Sequence, residues 1–275
     1  MNRAQIDGRE LEYEVRGAGE PVVLVHGSHI TDAFAPLLGE PVLTDRHRLI
    51  LYHRRGFAGS THPDGPLSIA PQAADCRALM RHLGVHCAHI LGHSYGGAIA
   101  LQLALDAPEA VHSLALLEPA LLMVPSAQQF MEAMGPLLQM YEAGNKTGAV
   151  DGFLQAVVGP EYRSVLDRVL PGAFAQAVAD ADTFFRIELP ALQQWRFTPA
   201  AAGRITQPVL SVLGADSHTL WPGWVEVHHL VQTWLPQAET FVLEGATHGL
   251  QIIDPKGMAE GLADFFARHP LPGRP

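Results

Sequence analysis

A serine within a glycine-rich stretch, residues 91–98 (LGHSYGGA), is the strongest candidate for chemistry in this chain. The stretch contains Gly-x-Ser-x-Gly, follows an apolar run and precedes the small and aliphatic residues of a predicted helix. A serine in a sharp turn between strand and helix presents its hydroxyl as a nucleophile, and the flanking glycines tolerate the crowding of that turn. Ser94 is therefore the predicted nucleophile. The Tyr95 N–H, at the start of the helix, is a predicted donor to an oxyanion.

A second oxyanion donor is predicted where an apolar strand ends. Residues 22–25 (VVLV) are followed by His26-Gly27-Ser28-His29. A glycine after a buried strand lets the backbone approach a bound ligand closely. The Ser28 N–H is therefore expected to point into a cavity and to complete the oxyanion hole with Tyr95.

A serine hydroxyl needs a base and an acid before it can attack a carbonyl group. A neutral imidazole takes its proton, and a carboxylate fixes the tautomer of that imidazole. His248, in the loop 245–250 (GATHGL) behind the last apolar strand, is the predicted base. Two carboxylates are candidates for the acid: Glu118, at the tip of a predicted strand, and Asp216, which follows another. Either side chain also has a structural interpretation, Glu118 as a buried hydrogen-bonding anchor and Asp216 as a helix N-cap.

The elements that must position these residues alternate between strands and helices. Such alternation predicts an α/β fold with a parallel sheet, whose ligand sites lie beyond the carboxyl ends of its strands. Ser28, Ser94 and Glu118 all fall at such ends. A helix over 68–83 is predicted with Ser68 as its cap and Gly84 as its stop, and a last helix over 255–269. Predicted strands cover 11–15, 22–25, 48–52, 113–119, 208–214 and 239–244.

The alternation stops between residues 120 and 206, where about four helical stretches rich in Phe and Met replace it. This segment is predicted to be a helical cap subdomain, and residues 1–119 with 207–275 the core domain. The apolar character of the cap predicts a small or medium hydrophobic substrate group. In the loop 53–60 (HRRGFAGS), Arg55 is predicted to tie neighbouring loops together by hydrogen bonds.

The composition excludes several classes of function. The chain has 275 residues, 48% of them hydrophobic, and a formal net charge of −10, so a nucleic-acid partner is not expected. Two cysteines, Cys76 and Cys87, indicate no disulfide framework. Without an apolar signal core or membrane-length segment, the chain is expected in the cytoplasm with no membrane partner. Its 15 histidines are scattered, so no metal is predicted, and no cofactor. The expected partner is a small-molecule substrate, and the oligomeric state is left open.

Four motifs in order, HGSH, HRRGFAGS, GHSYGG and GATHGL, resemble the α/β-hydrolase superfamily over nearly the whole chain apart from the cap. The resemblance implies a mostly parallel eight-stranded sheet flanked by helices, with the cap inserted after the sixth strand. It also implies Ser94 as nucleophile and His248 as general base and then acid. The oxyanion hole would come from the Ser28 and Tyr95 backbone N–H groups.

The resemblance bears on the choice of acid. In much of the superfamily the acid lies three residues after a glycine following the seventh strand, a position that Ser217 holds here, with Asp216 one residue earlier. Members similar to haloalkane dehalogenases place a Glu at the end of the sixth strand, which matches Glu118. The prediction favours Glu118 and keeps Asp216 as the alternative.

The nucleophile also bears on the reaction. Dehalogenases and epoxide hydrolases of the superfamily use Asp at this turn, whereas Ser94 would form an acyl enzyme. The expected reaction is hydrolysis of an ester, thioester, lactone, amide or carbon–carbon bond next to a carbonyl, a carboxylic ester above all. The alternatives on the same scaffold are a ligand receptor with negligible turnover and a lyase or cofactor-independent oxygenase.

Overall fold

The computed structural model describes residues 1–272, and its centre is one eight-stranded sheet. The strand order is β1-β2-β4-β3-β5-β6-β7-β8. Only the β1–β2 and β2–β4 pairs are antiparallel, so the mostly parallel eight-stranded sheet predicted from the resemblance is confirmed. The strands are β1 (Asn2–Ile6), β2 (Arg9–Arg16), β3 (Glu20–Val25), β4 (His47–Tyr52), β5 (Ala88–His93), β6 (Val111–Leu117), β7 (Val209–Gly214) and β8 (Ala238–Leu243).

The central strands are buried on both faces, which explains why they are readable from sequence as apolar runs. All six residues of β5 and of β7 are buried. In contrast, β1 buries only Ala4 and Ile6 among polar neighbours, and the sequence did not predict it. It is an edge strand that pairs only with β2 in residues 1–272.

Helices cover both faces of the sheet and create two apolar cores. One core contains the inward residues of α2, α3 and α10, and the other those of α1 and α12. Gly84 follows α2 at φ +69°, as expected of a helix stop, but the Ser68 side chain makes no capping hydrogen bond. These helices are α1 (Pro41–Thr44), α2 (Ile69–His82), α3 (Tyr95–Asp106), α10 (Gly223–Trp234), α11 (Leu250–Ile253) and α12 (Pro255–Arg268).

The segment between β6 and β7 is helical and contains more helices than the four or so expected. The short ones offer too few turns for a 3.6-residue period to show. Its elements are α4 (Ala127–Glu142), α5 (Lys146–Val158), α6 (Tyr162–Val169), α7 (Ala173–Ala179), a π-helical turn (Thr183–Glu188), α8 (Leu189–Gln194) and α9 (Pro199–Ala202). We call this segment, residues 120–206, the cap.

The loop after β4 joins the cap to the core. The Ala58 N–H donates to Asp180 Oδ2 at 2.9 Å, and the Thr183 hydroxyl donates to the Gly56 carbonyl oxygen. Arg54, earlier in the loop, forms an ion pair with Glu188. These contacts hold the π-helical turn, and the residue Asp180 shortly before it, against one short loop of the core.

Across residues 1–272, no helix is both long and apolar enough to cross a lipid bilayer. The location in the cytoplasm stays a prediction.

Candidate active site

Ser94 lies in a sharp turn between β5 and α3, with the strained backbone angles φ +52° and ψ −120°. The turn is held by the Ser94 N–H, which donates to the Leu117 carbonyl at 3.0 Å, and by the Ser94 carbonyl, which accepts from Ala120 N–H at 2.9 Å. A Cβ at Gly92 would lie 2.6 Å from the Gly96 carbonyl oxygen. A Cβ at Gly96 would overlap the carbonyl oxygen of Val25. Both glycines are therefore required by packing, as the sequence pattern indicates.

The two predicted oxyanion donors lie beside this turn. A Cβ at Gly27 would be only 3.0 Å from the Ser94 Cβ, so the loop after β3 passes close to the serine. Ser28 and Tyr95 both line the cavity that contains Ser94. Within residues 1–272, neither backbone N–H has an acceptor, which leaves both able to bind an oxyanion.

Arg54 holds the oxyanion loop in place, a role that the sequence did not reveal. Its buried guanidinium donates from Nε to the His26 carbonyl at 3.0 Å and from Nη2 to the Gly27 carbonyl at 2.9 Å. It also lies over the Tyr95 ring, 5.1 Å from the centroid. Arg55, the predicted tie, instead bonds the Asp75 carboxylate and the Pro71 carbonyl of α2. Two adjacent arginines in a loop give no sequence signal as to which one turns inward.

The structure brings Glu118, and not Asp216, to His248. The His248 Nδ1–H donates to Glu118 Oε2 at 2.6 Å, and Glu118 Oε1 accepts from the Gly214 N–H at 2.8 Å. Glu118 directly follows β6 and turns its carboxylate inward at φ +41°. Asp216 is exposed, and its carboxylate makes no hydrogen bond or ion pair in the described part of the chain, not even as a helix cap. Contrary to the alternative prediction, Asp216 therefore does not lie beside the base in this structure.

Two aromatic rings enclose the imidazole of His248. The Trp224 indole stacks on it with centroids 3.8 Å apart and an interplanar angle of 14°. The His93 ring lies 4.6 Å away, and its Nε2–H donates to the His248 carbonyl at 2.8 Å. Gln251 donates to His93 Nδ1 at 3.3 Å, which fixes that tautomer. His93 is the variable residue before the serine, so its contact with a loop more than 150 positions away has no local sequence signal.

Burial sets the charge state of the base. Removal from water lowers the pKa of His248 below its ordinary value of 6.5, so the ring is neutral at pH 7 and able to accept a proton. Burial raises the pKa of Glu118, while the Gly214 N–H acts in the opposite direction because it bonds the carboxylate. The Ser94 hydroxyl and the His248 ring border one cavity without a direct hydrogen bond between them in the described structure. Such contacts often close only when substrate binds.

Two lobes of the cavity meet at Ser94 and His248. The first, which we call the Glu188 lobe, reaches Tyr95 and Glu188. The second, the Gly249 lobe, is lined by apolar residues of α5 and by Gly249. Cap residues contribute to both lobes. Elsewhere in residues 1–272, no three His, Cys, Asp or Glu side chains converge into a set that could hold a metal ion.

A known protein family matches the part of the chain that contains Ser28, Ser94 and Glu118. The sequence model of a family described as alpha/beta hydrolase fold matches residues 20–150. A protein of Variovorax paradoxus that bears the provisional name carbamate hydrolase RutD is 31% identical over 96% of this chain and 99% of its own length. A protein of the same provisional name from Azorhizobium caulinodans is 40% identical over 39% of this chain, and the match spans only 40% of that relative.

Solved structures share the fold at lower identity. The enol-lactonase from Burkholderia xenovorans superposes with a TM-score of 0.81 at 20% identity, over 97% of this chain and 100% of that one. A thermophilic esterase from Thermogutta terrifontis gives 0.81 at 20% identity, over 98% and 100%.

Proposed function

Because the chain belongs to the α/β-hydrolase family, we propose that it is a serine hydrolase that forms an acyl enzyme on Ser94. The observation that carries the proposal is the hydrogen-bonded pair of Glu118 and His248 on one cavity with a strained serine. A carboxylate on one imidazole nitrogen leaves the other nitrogen free to act as an acceptor. This is the arrangement that activates a serine hydroxyl.

The reaction begins when His248 Nε2 takes the proton of the Ser94 hydroxyl and Oγ attacks the substrate carbonyl carbon. Charge develops on the carbonyl oxygen, and the Ser28 and Tyr95 N–H groups stabilise it by hydrogen bonds. The imidazolium, held by Glu118, then gives its proton to the leaving group, and the acyl enzyme forms. A water molecule gives a proton to His248 and attacks the acyl carbonyl carbon. His248 then returns that proton to Ser94 Oγ as the bond between Oγ and the acyl carbon breaks, and the acid is released.

We propose a carboxylic ester of a small or medium hydrophobic group as the substrate. The apolar lining of the Gly249 lobe supports this choice, because apolar pockets favour apolar groups. One relative is named as a carbamate hydrolase, and two structural neighbours are named as an enol-lactonase and an esterase.

A labelling experiment tests the proposal. We expect a fluorophosphonate probe to label the protein stoichiometrically on Ser94, and a panel of phenyl esters to be turned over many times. The variant Ser94→Ala should lose both labelling and turnover, while Ser126→Ala, which alters a serine outside the cavity, should keep both. Rapid labelling without turnover would favour the receptor alternative, and turnover that survives Ser94→Ala would favour the lyase or oxygenase alternative. Either result would overturn the proposal.

A further inference from the structure

Glu188 is a buried carboxylate that the reaction on Ser94 does not use. It ends the π-helical turn of the cap, has no exposed area and lines the Glu188 lobe. Segments of π-helix frequently occur at functional sites. Within residues 1–272, the Arg54 guanidinium and the Ser28 hydroxyl contact this carboxylate, but neither contact has the geometry of a good hydrogen bond. Native proteins satisfy nearly all buried polar groups, so the free acceptor capacity points to a ligand atom.

The negative charge of Glu188 is nevertheless balanced by the positive charge of Arg54. Arg54 Nη1 lies 2.6 Å from Glu188 Oε1 as a buried ion pair. Burial raises the pKa of Glu188, while the Arg54 charge and the nearby Ser28 hydroxyl act in the opposite direction. An ionised carboxylate offers about four lone-pair directions, so the contacts with Arg54 and Ser28 leave some of them open. Glu188 can therefore accept a hydrogen bond from a substrate inside the cavity.

The position of Glu188 decides which part of a substrate it would meet. Glu188 pairs with Arg54, which bonds the Gly27 carbonyl and lies over the Tyr95 ring, and it lines one lobe together with Ser28 and Tyr95, the residues of the predicted oxyanion hole. His248, which protonates the leaving group, borders both lobes, and we place the leaving group in the Gly249 lobe. The acyl part of the substrate is therefore the part that enters the Glu188 lobe.

We propose that Glu188 selects substrates whose acyl part carries an O–H or N–H donor close to the scissile carbonyl, as in a 2-hydroxyacyl ester or a carbamate. The donor binds a Glu188 oxygen while the carbonyl lies between Ser28 and Tyr95. This inference rests on the proposed serine hydrolase activity. An acyl part with a carboxylate at the same place is rejected because two buried anions would meet.

A purely structural Glu188, which only anchors the cap to Arg54, makes a different prediction. Loss of an anchor lowers the rate with every substrate alike, whereas loss of a specificity contact changes the ratio of rates between substrates. The ratio is therefore the informative measurement.

The experiment compares kcat/KM for phenyl glycolate, phenyl methoxyacetate and phenyl propionate. Methoxyacetate keeps the electronic effect of the oxygen but has no donor, and propionate replaces the hydroxyl by a methyl group of similar size. After correction for reactivity with hydroxide, we expect the wild type to prefer glycolate by at least about tenfold. The preference should shrink in Glu188→Gln and vanish in Glu188→Met, which has no acceptor of comparable strength.

Glu226→Gln is the matched control, because Glu226 also joins core to cap, through Ser126, but does not line the cavity. It should keep the wild-type preference. A wild type without preference for glycolate, or a preference that survives Glu188→Met, overturns the inference, and the wild-type result needs no variant to fold. A second pair, phenyl carbamate and phenyl acetate, shows whether N–H donors are also selected. If no ester is turned over and Ser94 is not labelled, the proposed function itself fails.

Discussion

His248 has little freedom to move, because three side chains contact its ring or main chain. Glu118 holds Nδ1, Trp224 covers one face of the ring, and His93 bonds the carbonyl oxygen. An imidazole held in this way loses little conformational entropy when it takes the serine proton, so its orientation is set before substrate arrives. The contacts with Glu118 and Trp224 lead to two predictions at the scale of single residues.

The first concerns the acid. Glu118→Gln removes the charge that stabilises the imidazolium and offers an amide that can favour the wrong tautomer, so kcat should fall by roughly 10³-fold or more. Asp216→Asn, a matched change at an exposed carboxylate, should leave kcat within about threefold of the wild type, as surface changes usually do. Steady-state kinetics on a phenyl ester measure both. A larger loss in Asp216→Asn would restore the alternative acid.

The second concerns the stacked indole. Trp224→Leu admits water to the His248 ring, and because burial lowers the pKa of this histidine, exposure raises it. The base works only when neutral, so the acid limb of the kcat/KM profile should move to higher pH. Trp221→Leu removes an indole that lines the same cavity but packs edge-to-face on Trp224 and does not stack on His248. If both variants shift the limb equally, the stacking contact is not the cause.

At this scale the sequence predicted residues by chemical type and chain order. Ser94, Glu118 and His248 belong to types that are suited to a proton relay, and each follows a strand. Arg54, His93, Trp224 and Glu188 were not predicted, because their importance comes from contacts between segments that are distant in the chain. Their residue types are equally common in structural positions.

At the scale of elements, the turn between β5 and α3 depends on close contact between three backbone segments. Gly96 of α3 lies against the end of β3, and Gly97 lies against Pro119, just beyond β6. The strand ends that carry Ser28, Ser94 and Glu118 are therefore packed through glycines. We therefore expect a small change at one of these glycines to shift all three residues.

A pair of glycine substitutions tests this point. Gly96→Ala must displace the Val25 carbonyl. It should therefore lower the free energy of unfolding by about 1–3 kcal/mol or more, the usual cost of overpacking. At Gly39 an added Cβ meets nothing within 4 Å and φ is not positive, so Gly39→Ala should stabilise by about 0.4–1 kcal/mol. Urea unfolding measures both free energies. Equal effects from the two substitutions would show that the contact at Gly96 relaxes freely.

The sequence predicted well those elements in which the pattern of apolar residues reflects burial. The strands that coincide with apolar runs, β3, β4, β6 and β7, were predicted within one or two residues. Two kinds of element were missed: β1, whose polar residues pair at the edge of the sheet, and the short helices of the cap. Their formation depends on tertiary contacts rather than on local periodicity.

At the scale of the whole molecule, burial of neutral histidines links stability to pH. His29 and His93 are buried, and burial lowers the pKa of each to about 3. Unfolded histidines bind a proton below about pH 6.5, whereas these two stay neutral in the fold. Their contribution to stability is therefore complete above pH 6.5 and is lost as the pH falls from there toward 3.

His29→Asn tests this linkage, since Asn tolerates the positive φ of +65° at this position and does not titrate in this range. The free energy of unfolding of the wild type should fall more steeply than that of the variant between about pH 6 and pH 4.5, by about 1.4 kcal/mol per pH unit. His86→Asn, at an exposed position, serves as the control. Parallel curves for wild type and His29→Asn would contradict a neutral His29 in the fold.

The loop after β4 that holds the cap has a consequence for protein engineering. Arg54 and the backbone of Gly56 and Ala58 contact Asp180, Thr183 and Glu188, so the complementary halves of one interface lie in different parts of the chain. A chimera that exchanges residues 120–206 for the cap of a homologue would keep only one half. If residues 54–58 of the homologue are exchanged together with its cap, both halves of the interface come from the same protein and the contacts are preserved.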